Sequence, residues 1–228
     1  MRVAVASGDG QRIVAALAGV DLARCAQQIG DHLIAAIENG ATEVHPLAGR
    51  CAGVLRERFW EGDEELAAQL DAALDPTDDA PALIVFRVDL DELSELLESG
   101  DRVGGFVNLE TGDTWQNDML DGIDEEDRPD FDDPDIWMMV PSFGRRFAYR
   151  DMEDFLSTVT DVHLADRLAI AIDGSGAFGR FTSVLRHTPD AEDHWYEFSN
   201  EHRFGRARAW LTRAGKQPKR RTYGAPTS

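Results

Sequence analysis

The sequence predicts an α+β fold, with an all-helical N-terminal unit followed by a small, mainly antiparallel sheet of about four strands covered by C-terminal helices. Three observations carry this. Apolar residues recur at helical spacing through the first third and again from Tyr149 to Leu211. Short apolar runs bounded by turn residues lie between those blocks. An acidic break with two prolines, DPTDDAP, separates the first block from the rest.

Taken in order, QRIVAALAGVDLARCAQQIGDHLIAAIENG suits two alanine-rich helices split near Gly19. Thr42 is placed to cap a third helix, with Pro46 in its first turn and Leu47, Val54 and Leu55 leading to Phe59. Asp63 is placed to cap a fourth, in which Leu66, Leu70 and Leu74 recur every four residues. Beyond DPTDDAP, ALIVFRV reads as a buried strand because it is short, rich in β-branched residues and bounded by turn signals. Asp89 and Glu92 then have the spacing of a capping box for a helix presenting Leu90, Leu93, Leu96 and Leu97. FVNL, ETGD and TWQN read as strand, turn and returning strand. IWMMVP is an apolar run suited to a central strand and ended by Pro141. In the last block Met152, Phe155, Leu156 and Val159 form one helical stripe, Leu164, Leu168 and Ile172 a second, and Phe178, Phe181 and Leu185 a third. The expected organisation is a helical domain over 1–78, an α+β domain over 81–215 and a disordered basic tail over 216–228.

Charge is distributed unevenly. The 228 residues carry 43 acids against 23 lysines and arginines, a net charge of −20. Residues 1–80 contribute −8, residues 81–143 contribute −15, residues 144–215 are close to balance, and the tail from Lys216 adds +4. Such a chain repels phosphate backbones, which disfavours generic nucleic-acid binding. The start lacks a basic region followed by a long apolar run, and no stretch approaches a membrane span, so a cytoplasmic chain is expected. Cys25 and Cys51 suit reduced, buried thiols there. The acid-rich stretch 118–135 is chemically able to hold a hard cation, but it lacks the register of a calcium hand and reads as a solvated loop. No metal and no cofactor is expected.

Motifs for catalysis are weak. GSGAFG, residues 174–179, satisfies G-x-G-x-x-G, yet the preceding LAIAI carries helical spacing and no strand follows, so Gly174 reads as the left-handed end of a helix. His187, His194 and His202 lack the register of a metal site, and Ser175 lacks that of a nucleophile elbow. Trp195, Tyr196, Phe198, Phe204 and Trp210 instead make the final helix aromatic on more than one side, a surplus that suits a partner surface.

LETGDTW on a hairpin, YRDMEDF opening a helix, G-x-GAF-x-RF, WYEF and the terminal ARAWL, in that order, resemble uncharacterised protein family 0158 of bacteria over roughly Val88 to Leu211. The upstream RERFWEGDEELAAQL looks like the N-terminal extension of actinobacterial members. The resemblance implies no activity, catalytic residue or cofactor. Where many members read GAFRRFK this chain has Gly179 and Thr182, so of an anion grip made by those basic positions only Arg180 remains.

The leading functional expectation is a non-enzymatic interaction or regulatory protein with a protein partner or self-association and no membrane. Its groove is formed by Met152, Phe155, Phe178, Arg180, Phe181, Trp195, Tyr196 and Phe198, with Arg145, Arg146 and Arg150 at the rim. The alternative is a nucleotide- or nucleic-acid-directed enzyme or binder using the arginine-rich C-terminal face and tail, with acids of the middle loop holding magnesium. Convergence of Asp151, Glu153 or Glu197 with Arg150 and Arg180 in one concave site would favour an enzyme.

Overall fold

The computed structural model describes residues 10–76, 83–100, 103–117 and 129–219. The helices of the N-terminal unit are α1 (Gly10–Ala16), α2 (Ala26–Glu38), α3 (His45–Arg58) and α4 (Asp63–Leu74). They bury Ile13, Ile29, Leu33, Leu55, Leu66 and Leu70 in one aliphatic core with several alanines. The caps differ from expectation. Thr42 opens a short 3-10 turn, Thr42–Val44, that runs into α3, and Val44 stands at the cap with no side-chain hydrogen bond. Asp63 is itself the first helical residue and accepts the N–H of Trp60 at 2.9 Å, closing the corner between α3 and α4.

The second unit contains β1 (Ile84–Arg87), α5 (Leu90–Leu97), β2 (Val103–Asn108), β3 (Thr114–Gln116) and β4 (Trp137–Pro141). Helices α6 (Arg146–Leu156), α7 (Val162–Ile172), α8 (Ala177–Leu185) and α9 (Pro189–Arg213) follow, and β5 (Lys216–Lys219) is the last described element. The fold is α+β. Asp89 caps α5 by accepting the N–H of Asp91, while Glu92 accepts the Thr114 hydroxyl from the hairpin. The hairpin forms as expected, with Val107 opposite Thr114.

Three corrections concern the strands. The antiparallel sheet has the order β3-β2-β4, so IWMMVP supplies an edge strand, and the centre is β2, whose Gly104 and Gly105 let the backbone of Leu96 and Trp115 approach closely. β1 is not in that sheet. It pairs in parallel with β5, which also makes Lys216–Lys219 an ordered strand where a disordered tail was expected. Nor is β1 buried on both faces: Ile84 and Val85 are 64% and 59% exposed and only Phe86 points into a core. Its β-branched composition fixed the extended conformation, but a two-stranded ribbon has too little surface over it to cover both faces.

Helix α9 is the axis of the molecule. Its 25 residues pack against α2 and α4 on one side, α5 and β5 on another, and α6 and α8 on a third. Residues 205–211 are therefore buried almost without interruption, and of the rings expected to face a partner Trp195 and Phe198 are buried, Phe204 and Trp210 half-buried, and Tyr196 exposed. α9 passes close to the α3–α4 corner at Gly205, where a Cβ would stand 2.0 Å from the carbonyl oxygen of Glu61. Gly62 faces it with a left-handed φ of +84°. Between α7 and α8, Gly174 and Gly176 have φ of +79° and +75°, so the false fingerprint is the turn that ends one helix and starts the next.

Candidate functional site

Two sets of charged side chains converge on α9, and they do different work. In the first, Glu201 accepts the backbone N–H groups of Gln27 and Gln28 at 2.8 and 3.0 Å, so it caps the start of α2 from another helix. The N-cap residue of α2, Cys25, makes no side-chain cap bond, which leaves those donors to Glu201. Arg58, at the end of α3, donates to Glu201 at 2.8 Å and makes a two-pronged contact with Asp63 at 2.7 and 2.9 Å. Burial works against the Arg58 charge, but Asp63 and Glu201 outweigh it and raise its pKa. Burial likewise raises that of Glu201, against the pull of Arg58 and the Gln27 N–H. Arg208, 0% exposed, donates to Gln27, Gln69 and Asp31 at 3.1, 2.5 and 2.9 Å.

The second set lines a cleft of about 440 Å³ between the α3–α4 corner, α6 and α9. The corner supplies Phe59, Trp60 and Glu61; α6 supplies Phe147, Arg150, Asp151 and Asp154, with Ser157 and Thr158 just beyond it; α9 supplies Phe198, His202 and Arg206. Phe59 ends α3 in the left-handed conformation, φ 55°, which points a large ring outward at 77% exposure. A non-glycine residue holds that conformation at some cost and is worth functional attention. Trp60 stacks on His202 with centroids 4.1 Å apart, and the Arg58 guanidinium lies 4.1 Å from the Trp60 ring centre. At the base Arg206 grips Asp151 with two parallel bonds of 2.8 Å and reaches Glu98 at 2.5 Å.

Burial raises the pKa of Asp151 against the pull of Arg206. Burial, reinforced by Arg206 and Arg58, pushes His202 down to about 3, so its ring is neutral at physiological pH. His202 Nδ1 stands 3.8 Å from Asp151, beyond a hydrogen bond. Two buried nitrogens of this lining, Arg206 Nε and His202 Nε2, have no hydrogen-bond partner among the described residues. A second cavity, of about 510 Å³ beside Glu95, Glu98 and Arg203, has no aromatic wall.

The groove expected from the sequence is corrected by this geometry. Met152, Phe155, Phe181 and Trp195 are packed in a closed core, with the Phe181 and Trp195 rings 4.8 Å apart, so they offer no open groove, while Phe198 joins that core and presents only an edge, 5% exposed, to the cleft. Coverage by α7, α8 and the Trp60 corner seals them. Phe178 and Tyr196 do stand at the surface, 55% and 53% exposed. Arg180 turns back to donate to the carbonyls of Ala171, Asp173 and Ser175 and so caps the end of α7. Arg145, Arg146 and Arg150 are exposed at the start of α6, and Arg150 borders the cleft. Of the acids named as signs of an enzyme only Asp151 lines it, since Glu197 pairs with Arg24 at 2.7 Å. Sequence reasoning missed Phe59, Trp60, Phe147 and the His202–Arg206 pair. The signal for the corner was RFWEGD, an aromatic pair directly before a glycine turn.

Among the described residues no group of three or more histidine, cysteine or acidic side chains converges as a metal site, and residues 118–128 of the acidic stretch lie outside them. Cys25 and Cys51 are buried free thiols, each pushed up to about 12 by burial. No helix among the described residues is long and apolar enough to cross a membrane. The model of a family described as Uncharacterised protein family (UPF0158) matches residues 82–222. No curated protein and no solved structure matches the chain.

Proposed function

From the premise that the chain belongs to the uncharacterised protein family UPF0158, we propose that it is a non-enzymatic interaction protein that docks a segment of a protein partner in the cleft between the α3–α4 corner, α6 and α9. The observation that carries this reading is the character of the lining, aromatic rings on three elements with an exposed arginine at the mouth. Rings supply contact area at little entropic cost, and arginine adds direction. The buried charged groups support binding over catalysis because they are already engaged with each other: Arg206 with Asp151 and Glu98, and Arg58 with Asp63 and Glu201. His202 is neutral and lies under Trp60. The region matched by the family supplies α6 and α9, while the corner comes from upstream of it, so partner choice can vary with the N-terminal unit.

A photo-cross-linking residue placed at Phe59, compared with one at Ile84 on the exposed face of β1, tests the reading in cells. The expected result is a discrete adduct from position 59 that Arg150→Glu abolishes and position 84 does not form. The same adducts from both positions, or none from position 59, would remove the support for this cleft as a docking site.

A further inference from the structure

We infer that the segment seated in this cleft is acidic as well as aromatic: a ring enters beside Phe59 and Phe147, and flanking carboxylates meet Arg145, Arg146 and Arg150. This rests on the docking reading above and adds the chemistry of the partner. With 43 acids to 23 lysines and arginines, carboxylates are plentiful on this chain. Arg24, Arg58, Arg206, Arg208 and Arg213 each have one within 2.9 Å. Arg145 and Arg146 have no ion pair among the described residues, and Arg150 has only Asp154 at 3.8 Å while 73% exposed. Three neighbouring arginines on an acid-rich chain thus retain their capacity for a bidentate carboxylate.

Two further features point the same way. The first turn of α6 contains no acid, as in α1, α2, α3, α7 and α8, and its cap residue, Arg145, makes no side-chain cap bond, so nothing in that turn offsets the two arginines that open the helix. The positive end of the helix therefore adds to the arginines instead of offsetting them. Deeper in the cleft, the buried Arg206 Nε–H lacks an acceptor although both terminal nitrogens of that guanidinium are bonded. A buried donor without a partner calls for an oxygen that the described residues do not provide. The acids nearest the mouth do not cancel this. Glu61 is held by Arg213 at 2.6 Å, which leaves Asp154 as the one a ligand carboxylate displaces from Arg150. The net charge of −20 slows the approach of an acidic segment, but at physiological salt it is screened beyond roughly 8 Å, so the local arginines decide the bound state.

Fluorescein-labelled peptides with a central phenylalanine flanked by glutamates, by glutamines or by lysines, and a glutamate peptide with alanine in place of phenylalanine, test this by anisotropy on the full chain. The glutamate–phenylalanine peptide is expected to bind at least tenfold more tightly than the other three, and more weakly as salt rises. An Arg146→Glu/Arg150→Glu variant with an unchanged melting temperature should lose at least tenfold, and Asp154→Asn should gain severalfold. Equal binding of the glutamine peptide makes the cleft an apolar site and overturns the inference. Equal binding of the alanine peptide reduces it to surface charge and overturns it too, as does the failure of every peptide at millimolar concentration. ATP binding that these substitutions abolish, without peptide binding, transfers the site to nucleotides. A position-59 adduct whose cross-linked segment lacks acids would sink this inference while leaving the docking reading intact.

Discussion

The arginines of α9 and those of α6 are chemically identical and physically opposite. Arg206 and Arg208 are buried, and each holds a carboxylate within 2.9 Å that comes from another element. Arg145, Arg146 and Arg150 lie at the surface, the first two at the start of a helix whose dipole disfavours them and the third one turn further on. The difference teaches that arginine content says nothing about role until pairing is known. On α9 the guanidinium fixes the position of a helix against its neighbours. On α6 it is exposed, and the described residues give Arg150 only a long contact to Asp154 and Arg145 and Arg146 no ion pair. Substitutions that separate these two roles either sharpen the contrast or break it.

The largest effect is expected at Arg208. Arg208→Ala leaves Asp31, Gln27 and Gln69 facing an emptied space, and removing one partner of a buried charge network costs about 3–5 kcal/mol. Chemical denaturation measures it. A loss below about 1 kcal/mol would mean that α9 is held by apolar packing alone. Next comes the crossing that brings Arg208 into place. Gly205→Ala puts a methyl group 2.0 Å from the Glu61 carbonyl, and overpacking of this kind costs about 1–3 kcal/mol. Because that strand of chain also forms the cleft corner, Gly205→Ala should alter Trp60 fluorescence as well as the melting temperature, and an unchanged spectrum would separate the crossing from the cleft.

The sequence made the helices legible because their apolar spacing is local: the stripes at Met152 to Val159 and Leu164 to Ile172 both became helices. It also exposed the false fingerprint, since LAIAI is helical and Gly174 is left-handed. What it could not give was the second side of α9. Whether Trp195 and Phe198 are core or surface depends on how many elements lie over them: α6, α7 and α8 are near in sequence, but the Trp60 corner that packs on Phe198 is more than a hundred residues away. The same distance hid β5, because a basic, aperiodic segment such as KQPK becomes a strand only when β1 offers an edge. The cleft was half legible. Arg150 and Phe198 were named from their neighbourhood, whereas Phe59 matters through a backbone conformation that no spacing announces.

A smaller effect is expected from His202, which touches both regions of the comparison. Its folded pKa of about 3 lies below its ordinary value, so its contribution to stability is present above pH 6.5 and is lost as pH falls towards 3. By pH 5 the loss amounts to about 2 kcal/mol. Asp63, Asp151, Arg58, Arg150 and Arg206 bear on this ring, and Asp151 and Glu201, with raised folded values, act with the opposite sign by favouring the folded state as they protonate. The change in stability between pH 7 and pH 5 should therefore be shallower in His202→Gln than in the parent chain. Equal slopes would show that the ring opens to solvent, in which case Trp60 does not close over the cleft in solution.

The smallest effect on stability is expected where the inference places the largest effect on binding. Arg146→Glu removes a guanidinium that has no ion pair among the described residues and lies 5.9 Å from the Phe147 ring, a contact of about 0.5 kcal/mol at an exposed site. The new carboxylate sits in the first turn of α6, where the helix dipole favours it by about 0.3–1 kcal/mol. The two contributions nearly cancel, so the stability of the variant should stay within about 0.5 kcal/mol of the parent, and any net change should be a gain. A loss above about 1 kcal/mol would mean that Arg146 has a structural partner and belongs with the arginines of α9. A neutral or stabilising result combined with weakened binding has the opposite meaning: the chain tolerates an unfavourable charge at this helix start because a ligand, and not the fold, requires it.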